Sequence, residues 1–218
     1  MMRALDLFCG AGGAAMGLMQ AGFKVTGVDI KPQPDYPGEF LLSDALALER
    51  EFVEDYSFIW ASPPCQGYIP GRKEAQAKHP KLIPQTRAML EKASAPFVIE
   101  NVPGAPIRHD LMLCGQMFGL PIIRHRYFEL HGFTAPQPAH PKHEGKVTDG
   151  TLVYCYRGGR PGCFGDNEKR SKLPNWSLDE KRRAMGAKHI MTEEGISEAI
   201  PPAYSRYIAE AFLKEART

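Results

Sequence analysis

No apolar run in the 218-residue chain approaches the roughly 20 residues needed to cross a bilayer, and no secretory signal pattern opens it, so the sequence predicts a protein without a membrane span. Cysteine is sparse. The five residues Cys9, Cys65, Cys114, Cys155 and Cys163 are odd in number and follow no disulfide-framework spacing. That excludes a small disulfide-stapled scaffold and predicts reduced thiols in the cytoplasm, in a nucleoid-associated or phage-encoded protein among other settings. Charge of one sign is also scarce. A net charge of +2 does not by itself argue for a polyanionic partner. There is no internal repeat, which excludes solenoids and propellers. What remains is ordinary for a globular chain with a core, at 43% hydrophobic and 24% charged residues. Proline is plentiful, at 19 residues, and clusters at 32–38 and 134–141.

The most informative stretch is Phe58-Ile59-Trp60-Ala61-Ser62-Pro63-Pro64-Cys65-Gln66-Gly67-Tyr68. Its apolar start reads as a buried strand. Two prolines then fix φ and remove two backbone donors, and a cysteine follows on the stiff loop at the strand's carboxyl end. In open α/β sheets that is where ligands bind. Upstream, Arg3–Phe8 reads as a strand, Cys9-Gly10-Ala11-Gly12-Gly13 as a tight turn, Ala14–Ala21 as a helix stopped by Gly22, and Val25–Ile30 as a strand finishing on Asp29. Strand, glycine turn, helix, strand and acid form a nucleoside-binding βαβ pattern. The pattern alone suits a nicotinamide-dependent oxidoreductase equally well, and its glycines also serve close helix packing.

Phe40-Leu41-Leu42 reads as a third strand followed by Asp44, which fits either an adenine amino group or the cap of a helix over 45–51. Residues 66–84 read as a long loop with Arg72, Lys73, Lys78 and Lys81, and 85–93 as a helix. Ala95–Ile99 is a further strand ending in Glu100-Asn101-Val102, so a thiol and a carboxyl come to neighbouring strand tips. Asp110–Phe118 is predicted helical, and Arg124-His125-Arg126-Tyr127-Phe128-Glu129-Leu130 a strand with both arginines on one face. Helices are predicted from a Ser177 cap, over 192–200 and over 202–216, the last turning Tyr204, Tyr207, Ile208 and Phe212 inward.

Asp6-Leu7-Phe8-Cys9-Gly10-Ala11-Gly12-Gly13, Pro63-Pro64-Cys65-Gln66-Gly67, Glu100-Asn101-Val102, Arg124-His125-Arg126 and Ala199-Ile200-Pro201-Pro202-Ala203-Tyr204 occur in that order. Together they resemble the DNA (cytosine-5)-methyltransferase family over roughly residues 3–130 and 192–213. The resemblance implies an α/β, Rossmann-like S-adenosylmethionine-dependent methyltransferase fold: a mostly parallel sheet with helices on both faces, plus a small irregular insert. It implies a catalytic domain of 1–130 and 190–218 and a target-recognition-like insert of 131–189. It implies Cys65 as the nucleophile, Glu100 as the contact to N3 and the exocyclic amine, Arg126 at O2 and Arg124 in a supporting role. For S-adenosylmethionine it implies Phe8, Gly10, Gly12, Asp29, Ile30, Asp44, Pro64 and Glu198. The partner implied is DNA with the target cytosine flipped out, bound by a monomer. An RNA cytosine methyltransferase and a non-catalytic nucleic-acid-binding protein on the same fold are the alternatives.

Two positions depart from the family pattern: Ile122 where a glutamine is usual, and Ser197-Glu198 where glycine-asparagine is usual. The insert is short. Residues 157–183 hold eight Lys or Arg against four acids, Tyr154, Tyr156, Phe164 and Trp176 lie in or beside that stretch, and Arg157-Gly158-Gly159-Arg160 is a candidate groove or phosphate contact. His140, His143, Cys155 and Cys163 carry metal-ligand atoms but match no standard zinc spacing, so no metal site is expected.

Overall fold

The computed structural model describes residues 1–69, 73–156 and 174–217. Seven strands form one sheet: β1 (Arg3–Leu7), β2 (Lys24–Asp29), β3 (Glu39–Leu42), β4 (Phe58–Ala61), β5 (Phe97–Asn101), β6 (Leu111–Leu113) and β7 (Arg126–His131), in the order β3-β2-β1-β4-β5-β7-β6. β1 to β5 pair in parallel, and β7 runs antiparallel to both β5 and β6. The central strands are buried throughout, as expected when helices cover both faces of a parallel sheet.

One face, with Ala4, Val25, Phe58, Trp60, Val98 and Phe128, packs against α1 (Gly13–Gln20) and α7 (Pro202–Glu215). The opposite face, with Leu5, Leu7, Val28, Ile59 and Ile99, is covered by α2 (Arg50–Glu54) and α4 (Ile83–Leu90). α3 (Lys73–Lys78) lies between β4 and α4 in the chain. α5 (Leu178–Met185) and α6 (Glu193–Glu198) precede α7. Met185, Ile190 and Ile196 of that region form a separate small core with Ala11 and Ile122.

α1 and α7 approach closely because Gly17 has no side chain. A methyl there would run into the Pro202 carbonyl oxygen and Ser205 Oγ, which itself donates to Ala14 O at 2.8 Å. Gly17→Ala is therefore expected to lower the unfolding free energy by about 2 kcal/mol, measured by urea denaturation, whereas at Gly22 a methyl group meets no neighbour within 4 Å and the cost of Gly22→Ala is the backbone strain of a side chain at φ 102°.

The β5–β7 pair is locked from outside by Glu129, whose carboxylate accepts from Arg87 Nε at 2.8 Å, Arg87 Nη2 at 2.7 Å and Arg108 N at 3.0 Å, and pairs with His131 at 2.7 Å. Burial works against the charge, but these bonds prevail and hold the carboxyl at about 2. With the folded value below the unfolded one, this stabilisation is complete above the ordinary carboxylate range and disappears as pH falls toward 2. Glu129→Gln should cost about 3 kcal/mol at neutral pH and flatten the dependence of melting temperature on pH between 5 and 3.

Four local expectations change. Residues 110–118 are not a helix: Leu111–Leu113 forms β6 on β7, and Gly115–Phe118 is a 3₁₀ turn. Tertiary pairing overrides helical propensity there, because Leu111 and Leu113 alternate into the core while the Gln137 side chain bonds Met112 N and O, both at 2.9 Å. Residues 66–84 are not a plain loop, since they contain a 3₁₀ turn (Gln66–Tyr68) and α3. α4 starts at Ile83, with Pro84 in its first turn, earlier than the apolar pattern indicates. Arg124 lies ahead of β7 rather than on it, its carbonyl taken by Tyr204 Oη at 2.6 Å. The Ser177 cap is present as a full capping box with Glu180. Arg157-Gly158-Gly159-Arg160, Cys163, Phe164 and Arg72 lie outside the described residues. Among the described residues, no helix is long and apolar enough to cross a membrane.

Candidate active site

At the carboxyl ends of β1, β2, β4 and β5 lies a cleft of about 400 Å³. Its first wall is the turn after β1. Phe8 holds a left-handed φ of 57°, uncommon for a residue with a side chain, and Gly10 follows at 48°. The position a Gly10 Cβ would take is open, so a ligand can approach the backbone there. Gly10 N donates to Asp29 Oδ2 at 3.0 Å and Lys31 N to Oδ1 at 2.9 Å. Both carboxylate oxygens are thus oriented, and each retains a lone pair for a ligand.

Phe8, Gly10, Asp29, Ile30, Asp44, Pro64 and Glu198 all line the cleft. Gly12 does not; it is the left-handed residue before α1, and a side chain there would strike Pro37 and Tyr36. Asp44 lines the cleft and caps the 3₁₀ turn Ala45–Ala47 through Leu46 N at 2.9 Å, a shorter element than the helix over 45–51 that the sequence predicts. Glu198, Ala199 and Ile200 return from the far end of the chain to the same cleft, with the Ile200 backbone against Gly13.

The second wall carries the reactive groups. Asn101 Nδ2 donates to Pro63 O at 2.8 Å, tying the proline turn to β5, and Ser62 N donates to Leu7 O at 3.1 Å. Cys65 stands at the head of the following 3₁₀ turn, partly exposed to the cleft. Glu100, buried at 6% exposure, receives Arg126 Nε at 2.9 Å. The β5–β7 register sets Glu100 opposite Phe128, so Arg126, two residues away, projects to the same side. Cys65, Glu100 and Arg126 therefore share one cleft.

Arg124 is not part of the cleft lining. It is buried behind Arg126, donating to Ser197 O at 2.6 Å and lying 4.6 Å from the Tyr156 ring centroid. Burial raises the Glu100 carboxyl above its ordinary range, and Arg126, Ser62 and Arg124 offset this only in part. Burial likewise raises the Cys65 thiol, with Arg126 and Arg124 pulling it down and Glu100 pushing it up.

Two residues of the site escaped sequence reasoning. Asp6 is fully buried on β1, lines the cleft, accepts from Tyr36 Oη at 3.3 Å through one oxygen and has no partner for the other, Oδ1. An acid in the middle of an apolar strand was its signal. Tyr156, read only as one aromatic of a basic segment, is raised by burial, but the charges of Arg124 and Arg126 and its hydrogen bond with Arg126 bring its phenol below the ordinary value. Nothing local in the sequence marks it.

A mostly parallel sheet with a glycine turn over a strand-tip cleft, and with thiol, carboxyl and guanidinium at the next tips, defines a Rossmann-like α/β protein. The chain belongs to the C-5 cytosine-specific DNA methylase family, whose model matches residues 2–110. It is 28% identical over 121 residues to the type II methyltransferase M.AgeI of Thalassovita gelatinovora. That match takes in 47% of this chain and 28% of the relative, so the chain is compared with under a third of that protein's length.

Its fold is that of known methyltransferases. Superposition on the Schizosaccharomyces pombe Dnmt2 methyltransferase gives a TM-score of 0.67 at 16% identity, covering 100% of both chains. The Entamoeba histolytica methyltransferase EhMeth gives 0.67 at 14% identity, covering 100% of this chain and 99% of that one.

Proposed function

We propose that the protein transfers a methyl group from S-adenosylmethionine to C5 of cytosine in DNA. The observation that carries this reading is the meeting of Cys65, Glu100 and Arg126 in the cleft that also holds the glycine turn and Asp29. The residues present suit the donor. The open approach at Gly10 and the oriented Asp29 carboxylate fit a nucleoside, and the unpartnered Asp6 Oδ1 is a natural receiver for an ammonium group. Phe8, Ile30 and Pro64 would enclose its apolar parts, with Asp44 and Glu198 at its polar edges. When bound, S-adenosylmethionine supplies an electrophilic methyl group.

The remaining chemistry belongs to the chain. The Cys65 thiolate adds to C6 of cytosine, forming an S–C6 bond and moving the ring's electron pair toward N3 and C5. Glu100, whose buried carboxyl favours the protonated form, donates at N3, and Arg126 stabilises the charge that develops at O2. The two ionisations support one another: Glu100 as an anion raises the thiol, so a carboxyl that is protonated removes one obstacle to the thiolate. After methylation, loss of the C5 proton to water and departure of the sulfur as thiolate, with the N3 proton returning to Glu100, restore the aromatic ring. A cytosine stacked in a duplex cannot present C6 to a thiol in a cleft, so the base is extruded. Arg124 supports Arg126 through Tyr156, whose ring it meets and whose phenol hydrogen-bonds Arg126.

Residues 1–130 and 190–218 form the catalytic part on this reading, and 131–189 the target-facing insert, acting as a monomer. Incubating the protein with labelled S-adenosylmethionine and either duplex DNA or tRNA tests the assignment. Label in 5-methylcytosine of DNA is expected; label confined to RNA, or none in either, contradicts it. Bisulfite sequencing of DNA from cells expressing the protein then identifies the target site.

A further inference from the structure

Away from the cleft, four side chains from three segments converge on one point: Cys114, His125, His140 and His143, whose ligand-type atoms all lie within 4.8 Å of one another. We propose that they form a structural zinc site that fastens the proline-rich strap 134–144 to the edge of the sheet, a role independent of the reaction proposed above.

The sheet itself makes half of the site. β6 and β7 pair with Leu113 opposite Arg126, so one residue further Cys114 stands opposite His125. The strap brings the other half and is held there by bonds of its own. Gln137 pairs with the Met112 backbone, Gln116 Nε2 donates to Glu144 O at 2.6 Å, Glu144 N donates to Gln116 Oε1 at 3.0 Å, and Tyr207 Oη donates to Pro136 O at 2.7 Å. The scaffold thus presents the four groups without relying on contacts between them, as a metal site requires.

Three of the six ligand-atom spacings are close to the edges of a coordination tetrahedron. His140 Nε2 lies 3.1 Å from His125 Nε2 and 3.2 Å from His143 Nε2, and Cys114 Sγ lies 3.4 Å from His143 Nε2. With zinc–nitrogen bonds near 2.0 Å and zinc–sulfur near 2.3 Å, tetrahedral edges are about 3.3 Å between nitrogens and about 3.5 Å from nitrogen to sulfur. Hydrogen bonding alone accounts for the cluster poorly. Each imidazole Nε2 has one site in the ring plane, a proton or a lone pair, yet His140 Nε2 has two close nitrogen neighbours. A cation at the centre gives all four atoms a partner.

One thiolate and three imidazoles favour zinc over magnesium or calcium, and four protein ligands leave no open position, which makes the site structural. Cys155, which the sequence offers beside His140 and His143 as a ligand type, packs with Ile122, Ala184 and Met185, its thiol toward Lys181 O. The set was hidden in the sequence because its halves meet only through strand register. Its location has a consequence for the cleft: His125 O accepts Arg126 Nη1 at 2.9 Å, so the tether reaches the residue next to the Glu100 partner.

The test is metal analysis of tag-free, full-length protein, with His140→Ala/His143→Ala as the principal variant because neither ring is in the main core, and Cys114→Ser as the second. One zinc per chain is expected in the unmodified protein, with affinity reduced about 100-fold or more in the double variant. Chelation should lower the melting temperature of the unmodified protein by about 5 °C and leave that of the double variant unchanged. Cobalt loading should give tetrahedral d–d bands together with a thiolate charge-transfer band that Cys114→Ser abolishes. Unmodified protein that is metal-free and binds no added zinc overturns the proposal, as does zinc retained in full by the double variant.

Discussion

Cys65→Ser is expected to reduce methyl transfer by about 10⁴-fold, while affinity for S-adenosylhomocysteine, followed by isothermal titration, changes by less than about threefold. The reason lies in the division of the cleft. Cys65 stands on the β4 side, on a turn secured by Asn101 and by the Ser62–Leu7 backbone bond, whereas the nucleoside-facing groups Gly10 and Asp29 are secured to one another across β1 and β2. A serine in that position preserves the turn but offers a poorer nucleophile with a far higher pKa than a thiol. Equal losses of turnover and cofactor affinity would place Cys65 in the cofactor wall and not at the base.

Glu100→Gln is expected to reduce methyl transfer by about 10²–10³-fold, the second largest effect. The carboxyl is buried at 6% exposure and lies 2.9 Å from Arg126 Nε, so it is held in one orientation. Glutamine preserves the shape and one acceptor but cannot transfer a proton to N3. The same change carries a stability signature. Burial raises the carboxyl in the fold above its unfolded value, with Arg126 opposing. Its contribution is therefore fullest below the ordinary carboxylate range and is lost as pH rises through the folded value, so Glu100→Gln should remove part of the fall in melting temperature as pH rises above that range. A variant that folds normally yet retains full activity would show that the proton reaches N3 from elsewhere.

Much of this site could be read from the chain because its residues follow strands. The runs ending at Phe8, Asp29, Ala61 and Glu100 are apolar and short, and in a parallel sheet their ends share one edge, so Cys65, Glu100 and Asp29 were placed together without coordinates. Residues 110–118 were misread because a three-residue edge strand has too few positions to show alternation, and its partners, β7 and Gln137, are distant in sequence. Gly12 was grouped with Gly10, yet one meets Pro37 and the other faces open space, a difference set by the 32–38 loop.

Ile122, a departure from the family pattern, is buried at 2% exposure against Gly115. It packs in the small core that includes Ala11 and is not itself among the residues lining the cleft. Tyr156 is visible only with packing, since it acts through Arg124 and Arg126, to which no spacing rule connects it.

The most direct measurement is covalent trapping on DNA containing 5-fluorocytosine in the presence of S-adenosylmethionine. Fluorine at C5 cannot leave as a proton does, so sulfur addition at C6 becomes irreversible. The expected result is a stable protein–DNA complex whose cross-linked peptide contains Cys65, absent with Cys65→Ser. A complex formed in equal yield by Cys65→Ser, or a cross-link mapped to Cys9, would contradict the assignment of the nucleophile.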